Sequence, residues 1–189
     1  MSDSLAAALA GIFEDRLKMV AGFGADSQIC AIVSTITADD LDKCAKAFGK
    51  SPPAPLLMLV EELSRALDAF PLELNEIITT RRLIAGTDLL AALTVPAEDL
   101  RRACEAQARG HLLHLREAYI EAAGDKKAVS SLVTASVTPF RALVANAARL
   151  DATSGDELER RLGLSTEDFP AVLRSAERLV HHLDQWLRR

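Results

Sequence analysis

Apolar residues at Leu5, Leu9, Ile12, Phe13 and Leu17 recur close to every 3.6 positions and predict an amphipathic opening helix. The pattern then changes. Met19 to Phe23 reads as a short strand, Gly22 and Gly24 permit a tight turn, and Gln28 to Ile36 (QICAIVSTI) reads as a second strand whose near-continuous apolarity predicts burial on both faces. Thr37 is a good N-cap, and with Asp39 and Asp40 in the first turn it predicts a helix through Leu41, Cys44 and Phe48 that ends at Gly49. After a loop containing Pro52, Pro53 and Pro55, Leu56 to Val60 reads as a third strand, followed by a short helix around Glu61 to Asp68. Ala69 to Ile78 alternates Phe70, Leu72 and Leu74 with Pro71, Glu73 and Asn75, which is strand periodicity with one wet face.

Beyond Val95 only helical periods remain. Pro96 opens a long helix with Ala108, Leu112, Leu115, Tyr119 and Ala122 on one stripe, and Gly124 followed by Asp125 is a C-cap and N-cap pair. Lys126 to Leu150 continues as helix, with a kink at Pro139 or a restart on Thr138. From Thr166 a last helix places Phe169, Val172, Ala176, Leu179, Val180, Leu183 and Trp186 at i, i+3, i+4 spacing. The expected class is α+β: a small mixed sheet with helices over residues 1–94, then an antiparallel helical bundle over 95–189.

Composition narrows the functional classes. The chain has 189 residues, about half apolar (49%), enough for a substantial core. Its opening residues lack a basic n-region, no apolar run approaches about 20 residues, and Cys30, Cys44 and Cys104 are odd in number and widely spaced. A cytoplasmic protein that spans no membrane is expected, with reduced core thiols. Residues 1–95 carry 8 basic and 13 acidic side chains, so the whole net charge of −5 lies there. An acidic balance with 4% aromatics argues against nucleic acid, which is bound through Lys and Arg and stacked on aromatic rings.

The α-β-β order with a crossover helix, a further strand and an appended bundle resembles the minimal nucleotidyltransferase fold with its helical partner domain. More specifically, FPLELNEIITTRRLIAGTDLL over 70–90 and LRRACEAQARGHLLHLREAYIEAAGD over 100–125 are similar to bacterial nucleotidyltransferase-domain proteins in which a carboxylate-bearing strand precedes an I-x-G-x-D turn and a long L-R-x-A-Y helix. In active members a Gly-Ser pair after the first strand anchors a phosphate, a D-x-D on the second strand holds metal, and a third carboxylate comes from a later strand. Two Mg²⁺ ions on hard oxygen ligands activate the attacking oxygen and neutralise the leaving phosphate.

Carried onto this chain, the resemblance puts the Gly-Ser position near Gly22 to Gly24, with Phe23 or Ala25 where serine would stand. It puts D-x-D within Gln28 to Ile32, on Cys30 and Ile32, and leaves Glu73 as counterpart of the third carboxylate. One carboxylate cannot assemble a two-metal centre, so the resemblance implies a degenerate, catalytically inert member that binds a ligand or partner. Its expected binding site is the cleft between the halves, with Gly22, Gly24, Arg81 and Arg82 as ligand-binding candidates and no metal or cofactor.

Two enzyme alternatives stand beside this. Asp26 in the turn, together with Glu73, would carry a residual Mg²⁺-dependent nucleotidyl- or phosphotransferase. Arg109 and His114 match the R-x4-H spacing of HEPN ribonucleases, whose helical domains accompany nucleotidyltransferase domains, although Gly110 takes the place of the usual polar residue. His111, His114 and Glu117 lack a second ligand helix, and adjacent His181 and His182 are expected to meet solvent and helix-end carbonyls. The apolar width of Leu112, Leu113, Leu115, Tyr119 and Ile120 exceeds one stripe and predicts a second subunit or partner protein on the helical half.

Overall fold

A computed structural model describes residues 2–24, 28–49 and 54–186. The chain divides into two compact units, Met1–Pro96 and Ala97–Arg189.

In the first unit, helix α1 (Ser2–Phe13) leads into strand β1 (Leu17–Phe23), which pairs antiparallel with β2 (Gln28–Val33). Helix α2 (Ala38–Phe48) then carries the chain over to β3 (Leu56–Leu59), parallel to β2, as a crossover must. Thr37 and Asp40 form a reciprocal capping box at its start. Asp40 does more than cap: Arg16 grips both its oxygens at 2.7 and 2.9 Å, and the Thr37 N–H and hydroxyl donate to it at 2.9 and 2.8 Å. Strand β4 (Arg82–Gly86) pairs antiparallel with β1, giving the order β3-β2-β1-β4.

Strand alternation divides the sheet's residues between two faces. Val20, Ile29, Ala31 and Val33 pack with Leu9, Phe13 and Cys44 of α1 and α2. Met19, Ala21, Cys30 and Ile32 point the other way, where α4 (Pro71–Thr80) packs on β1 and buries Leu74 and Ile77. Gly86 ends β4 at φ +80, where a Cβ would stand 2.1 Å from the Lys18 carbonyl oxygen, so this position of the I-x-G-x-D turn excludes any side chain.

Helix α4 corrects the strand expected over residues 69–78. Pro71 in the first turn with Glu73 beside it is a helix start, and Pro71, Leu74 and Ile77, three apart, form the buried side. The apparent alternation leaned on Phe70, which is 60% exposed. The residues after β3 form a 3-10 turn, Val60–Glu62, and helix α3 (Leu63–Ala69).

The second unit consists of α5 (Ala97–Glu121), α6 (Lys126–Leu150), α7 (Gly155–Leu162) and α8 (Phe169–Trp186). Helix α5 packs on α6 and α8, and α7 packs on α6. Its core is built from Cys104, Ala108 and Leu115 of α5, Phe140, Val144 and Ala147 of α6, Leu158 of α7, and Val172, Leu179 and Leu183 of α8. Asp125 caps α6 as expected, accepting from the Lys127 and Ala128 N–H groups.

One alternative is removed, one boundary moves and one helix is added here. Helix α6 runs through Pro139 without a restart at Thr138; Pro139 and Ala135 one turn earlier are both exposed, so the carbonyl deprived of its helix bond lies at the wet side. Helix α8 starts at Phe169, because Asp168 rather than Thr166 caps it, accepting from the Ala171 N–H at 2.7 Å. Helix α7, capped by Ser154, was not anticipated; its S-x-x-E signature at Ser154 and Glu157 is the signal that was missed. By length and composition α6 also qualifies as a membrane span, with mean hydropathy 1.4, because Ser and Thr interrupt its apolar run without adding charge.

Candidate functional site

The resemblance directs attention to the end of β1. Gly22 lies within the strand, and a Cβ there would find the Arg82 guanidinium and Ile84 at 3.7 Å, ordinary contacts. Gly24 turns the chain at φ +66, donates its N–H to Thr80 Oγ1 at 2.9 Å, and faces Glu76, whose Oε1 lies 3.4 Å from where a Cβ would be. Thr80 in turn donates to the Glu76 carbonyl at 2.7 Å. The turn that would anchor a phosphate is therefore tied to the end of α4 and looks onto a carboxylate. Glu76 and Thr80 escaped sequence reading, since only a helix brings residues 73, 76 and 80 onto one side. Asp26 lies outside the described residues.

Strand β2 places the D-x-D counterparts deep in the sheet. Cys30 pairs with Ala21 on one side and Leu56 on the other; Ile32 pairs with Met19 and Met58. Cys30 is 1% exposed, and burial pushes its thiol up to about 11, so it stays protonated and is no ligand for a hard cation. Among the described residues no group of three His, Cys, Asp or Glu side chains could hold a metal ion. Among the described residues, the donor set on this face does not fit two Mg²⁺ ions.

The same face carries instead an apolar cavity of about 450 Å³, lined by Leu56, Met58, Ala66, Ala69, Phe70 and Leu74 with Glu62, Arg65 and Glu73. Leu56 and Met58 are the register partners of Cys30 and Ile32, so the cavity opens beside the two strand positions that the resemblance matches to D-x-D. Glu62 is committed to the Leu59 N–H at 2.8 Å, whereas Arg65 and Glu73 form no ion pair among the described residues. Glu73 thus belongs to a helix and a greasy cavity, not to a strand.

Of the two arginines singled out from sequence, Arg81 is occupied. Its Nε lies 3.0 Å from both Asp88 oxygens, and this pairing, with the Leu90 N–H, holds the Asp88 carboxyl below its ordinary value. The two thereby clamp the I-x-G-x-D turn. Arg82 stands on β4 beside Gly22.

In the helical unit, Arg109 is held by Glu105 at 2.9 Å and by Asp184 of α8 at 2.5 Å, while His114 is exposed beside Glu117 at 3.5 Å. The two sit five residues apart on α5 and turn to different neighbours. His111 stacks on Phe140 at 5.6 Å, and burial lowers its pKa, keeping it neutral. His181 is exposed and contacts Gln185, but His182, expected in solvent, is buried, its Nε2 3.0 Å from Asp151, which also pairs with Arg161. That cluster pins the end of α6 to α7 and α8.

No protein-family model matches the chain, and no curated protein does so either. Among solved structures, the chain is similar to a spectinomycin adenyltransferase from Enterococcus faecialis, determined with ATP and spectinomycin. The match covers 98% of this chain and 97% of that one at a TM-score of 0.54 and 12% identity. The chain thus has an α+β nucleotidyltransferase-like fold with a C-terminal helical region.

Proposed function

We propose that this protein keeps the nucleotidyltransferase scaffold without its metal centre and works as a binding module, taking a small apolar ligand in the cavity over β3, α3 and α4. The observation that carries this reading is the register of β2 and β3, which sets Cys30 and Ile32 beside Leu56 and Met58 of an apolar cavity. A face on which active nucleotidyltransferases would need carboxylates for Mg²⁺ is suited here to transfer of hydrocarbon out of water. Glu76 facing Gly24 adds to this, since a carboxylate repels a phosphate at the anchoring turn.

A fluorescent apolar probe such as anilinonaphthalene sulfonate should bind the protein, and Ala69→Trp, which fills the cavity from its lining, should abolish binding while the far-ultraviolet spectrum is kept. Calorimetry with ATP should show no Mg²⁺-dependent heat. Mg²⁺-dependent ATP binding that disappears in Glu73→Ala would overturn the reading in favour of a residual nucleotidyl- or phosphotransferase.

A further inference from the structure

The cavity over β3, α3 and α4 has two kinds of wall. Met58, Ala66 and Leu74, none more than 9% exposed, form an apolar floor, whereas Arg65, Phe70 and Glu73 stand in water at the rim. The floor offers no side chain that ionises. The rim carries a free charge of each sign.

Both charges are uncommitted among the described residues. Arg65 pairs with neither Glu61 one turn before it nor Asp68 one turn after, and Glu62, which also borders the cavity, is held by the Leu59 N–H at 2.8 Å. Arg81, the next basic residue after Arg65, is held by Asp88 and so is not a partner for Glu73. Nor do Arg65 and Glu73 pair with each other, although they line one cavity of about 450 Å³. Opposite charges that border the same space without meeting leave a gap that a ligand bearing both can close.

We propose that the cavity takes a free apolar α-amino acid of the leucine, methionine or phenylalanine kind. Its carboxylate lies on the Arg65 guanidinium, its ammonium on the Glu73 carboxylate, and its side chain among Met58, Ala66 and Leu74. This rests on the cavity being an apolar ligand site and gives that ligand its head group. Size agrees with charge: an α-amino acid holds its two charged groups within about 3 Å across one Cα, and a hydrogen bond of about 3 Å at each end makes a span of about 9 Å. A sphere of the cavity's volume is about 10 Å across. A fatty anion would meet the Glu62 and Glu73 carboxylates, and a simple amine would meet Arg65; the zwitterion turns an opposite charge to each rim group. A polar side chain finds no partner on the floor.

Displacement of anilinonaphthalene sulfonate from the full chain tests this, with the probe's own dissociation constant measured for every variant. Leucine and phenylalanine should displace it at millimolar concentration, and serine should not. 4-Methylpentanoate, which lacks the ammonium, and 3-methylbutylamine, which lacks the carboxylate, should each bind roughly threefold or more weakly than leucine, the scale of one exposed charge contact. Arg65→Gln should erase leucine's advantage over the amine, and Glu73→Gln its advantage over the acid. Both positions are exposed, so the melting temperature should be kept. A probe that binds, is lost in Ala69→Trp and is not displaced by leucine overturns the amino-acid assignment while the apolar site stands. A probe that never binds overturns both. Displacement by 4-methylpentanoate or by 3-methylbutylamine that equals leucine's overturns the assignment in favour of a carboxylic acid or an amine.

Discussion

Asp40 shows how much one side chain can integrate. Its carboxylate receives two bonds from Arg16 and two from Thr37, and these hold its pKa well below the usual carboxylate range. A lowered folded pKa means the unfolded chain takes up the proton first as pH falls. The stabilisation is therefore whole above the ordinary carboxylate pKa of about 4 and drains away toward the lower folded value. Asp40→Asn should melt lower at pH 7 and lose less of its melting temperature than the parent between about pH 5 and pH 2, as read by circular dichroism. Thr37 and Asp40 were visible in sequence as a cap; Arg16, 24 residues away, was not, because no local pattern announces an ion pair closed by the fold.

Elements were legible wherever one period dominated. Strands β1 and β2 and helices α2, α5 and α8 lie close to where their apolar spacing put them, within a few residues at the ends. Helix α4 failed because Phe70 to Ile78 satisfies both periods, and an exposed Phe70 tipped the reading toward strand. That one misassignment moved Glu73 from sheet to helix and hid its alignment with Glu76 and Thr80, so part of the candidate site was lost along with the element. Pro139 within α6 is a local rule overridden by packing, since Phe140, Leu143 and Val144 beside it are buried. As Pro139 is exposed, Pro139→Ala should remove only the backbone penalty and stabilise the chain by at least about 1 kcal/mol in urea denaturation.

At the scale of the whole molecule, the change of periodicity after Val95 marks where a sheet-centred core gives way to a purely helical one. Each unit encloses its own buried cluster, which is what allows a domain to fold by itself. Residues 97–189 expressed alone should give a helical spectrum and a cooperative thermal transition; a gradual, non-cooperative melt would refute the independence of that core. The cavity beside Cys30 and Ile32 was out of reach of sequence reading, since it arises from the parallel register of β3 on β2 and from α3 and α4 folding over that face.

The span-like composition of α6 bears on how the chain is made. As it leaves the ribosome, Lys126–Leu150 presents a long segment whose apolar stretch is charged only at its ends and at Arg141 to any insertion or quality-control machinery that samples nascent helices. Its partner α5 has already emerged, joined to it by the short link 122–125, and a hairpin of neighbouring helices closes in microseconds, far faster than residues are added. Order of synthesis thus favours early cover: the apolar helix emerges directly after one of the helices it packs on, and α7 and α8 complete its shelter later.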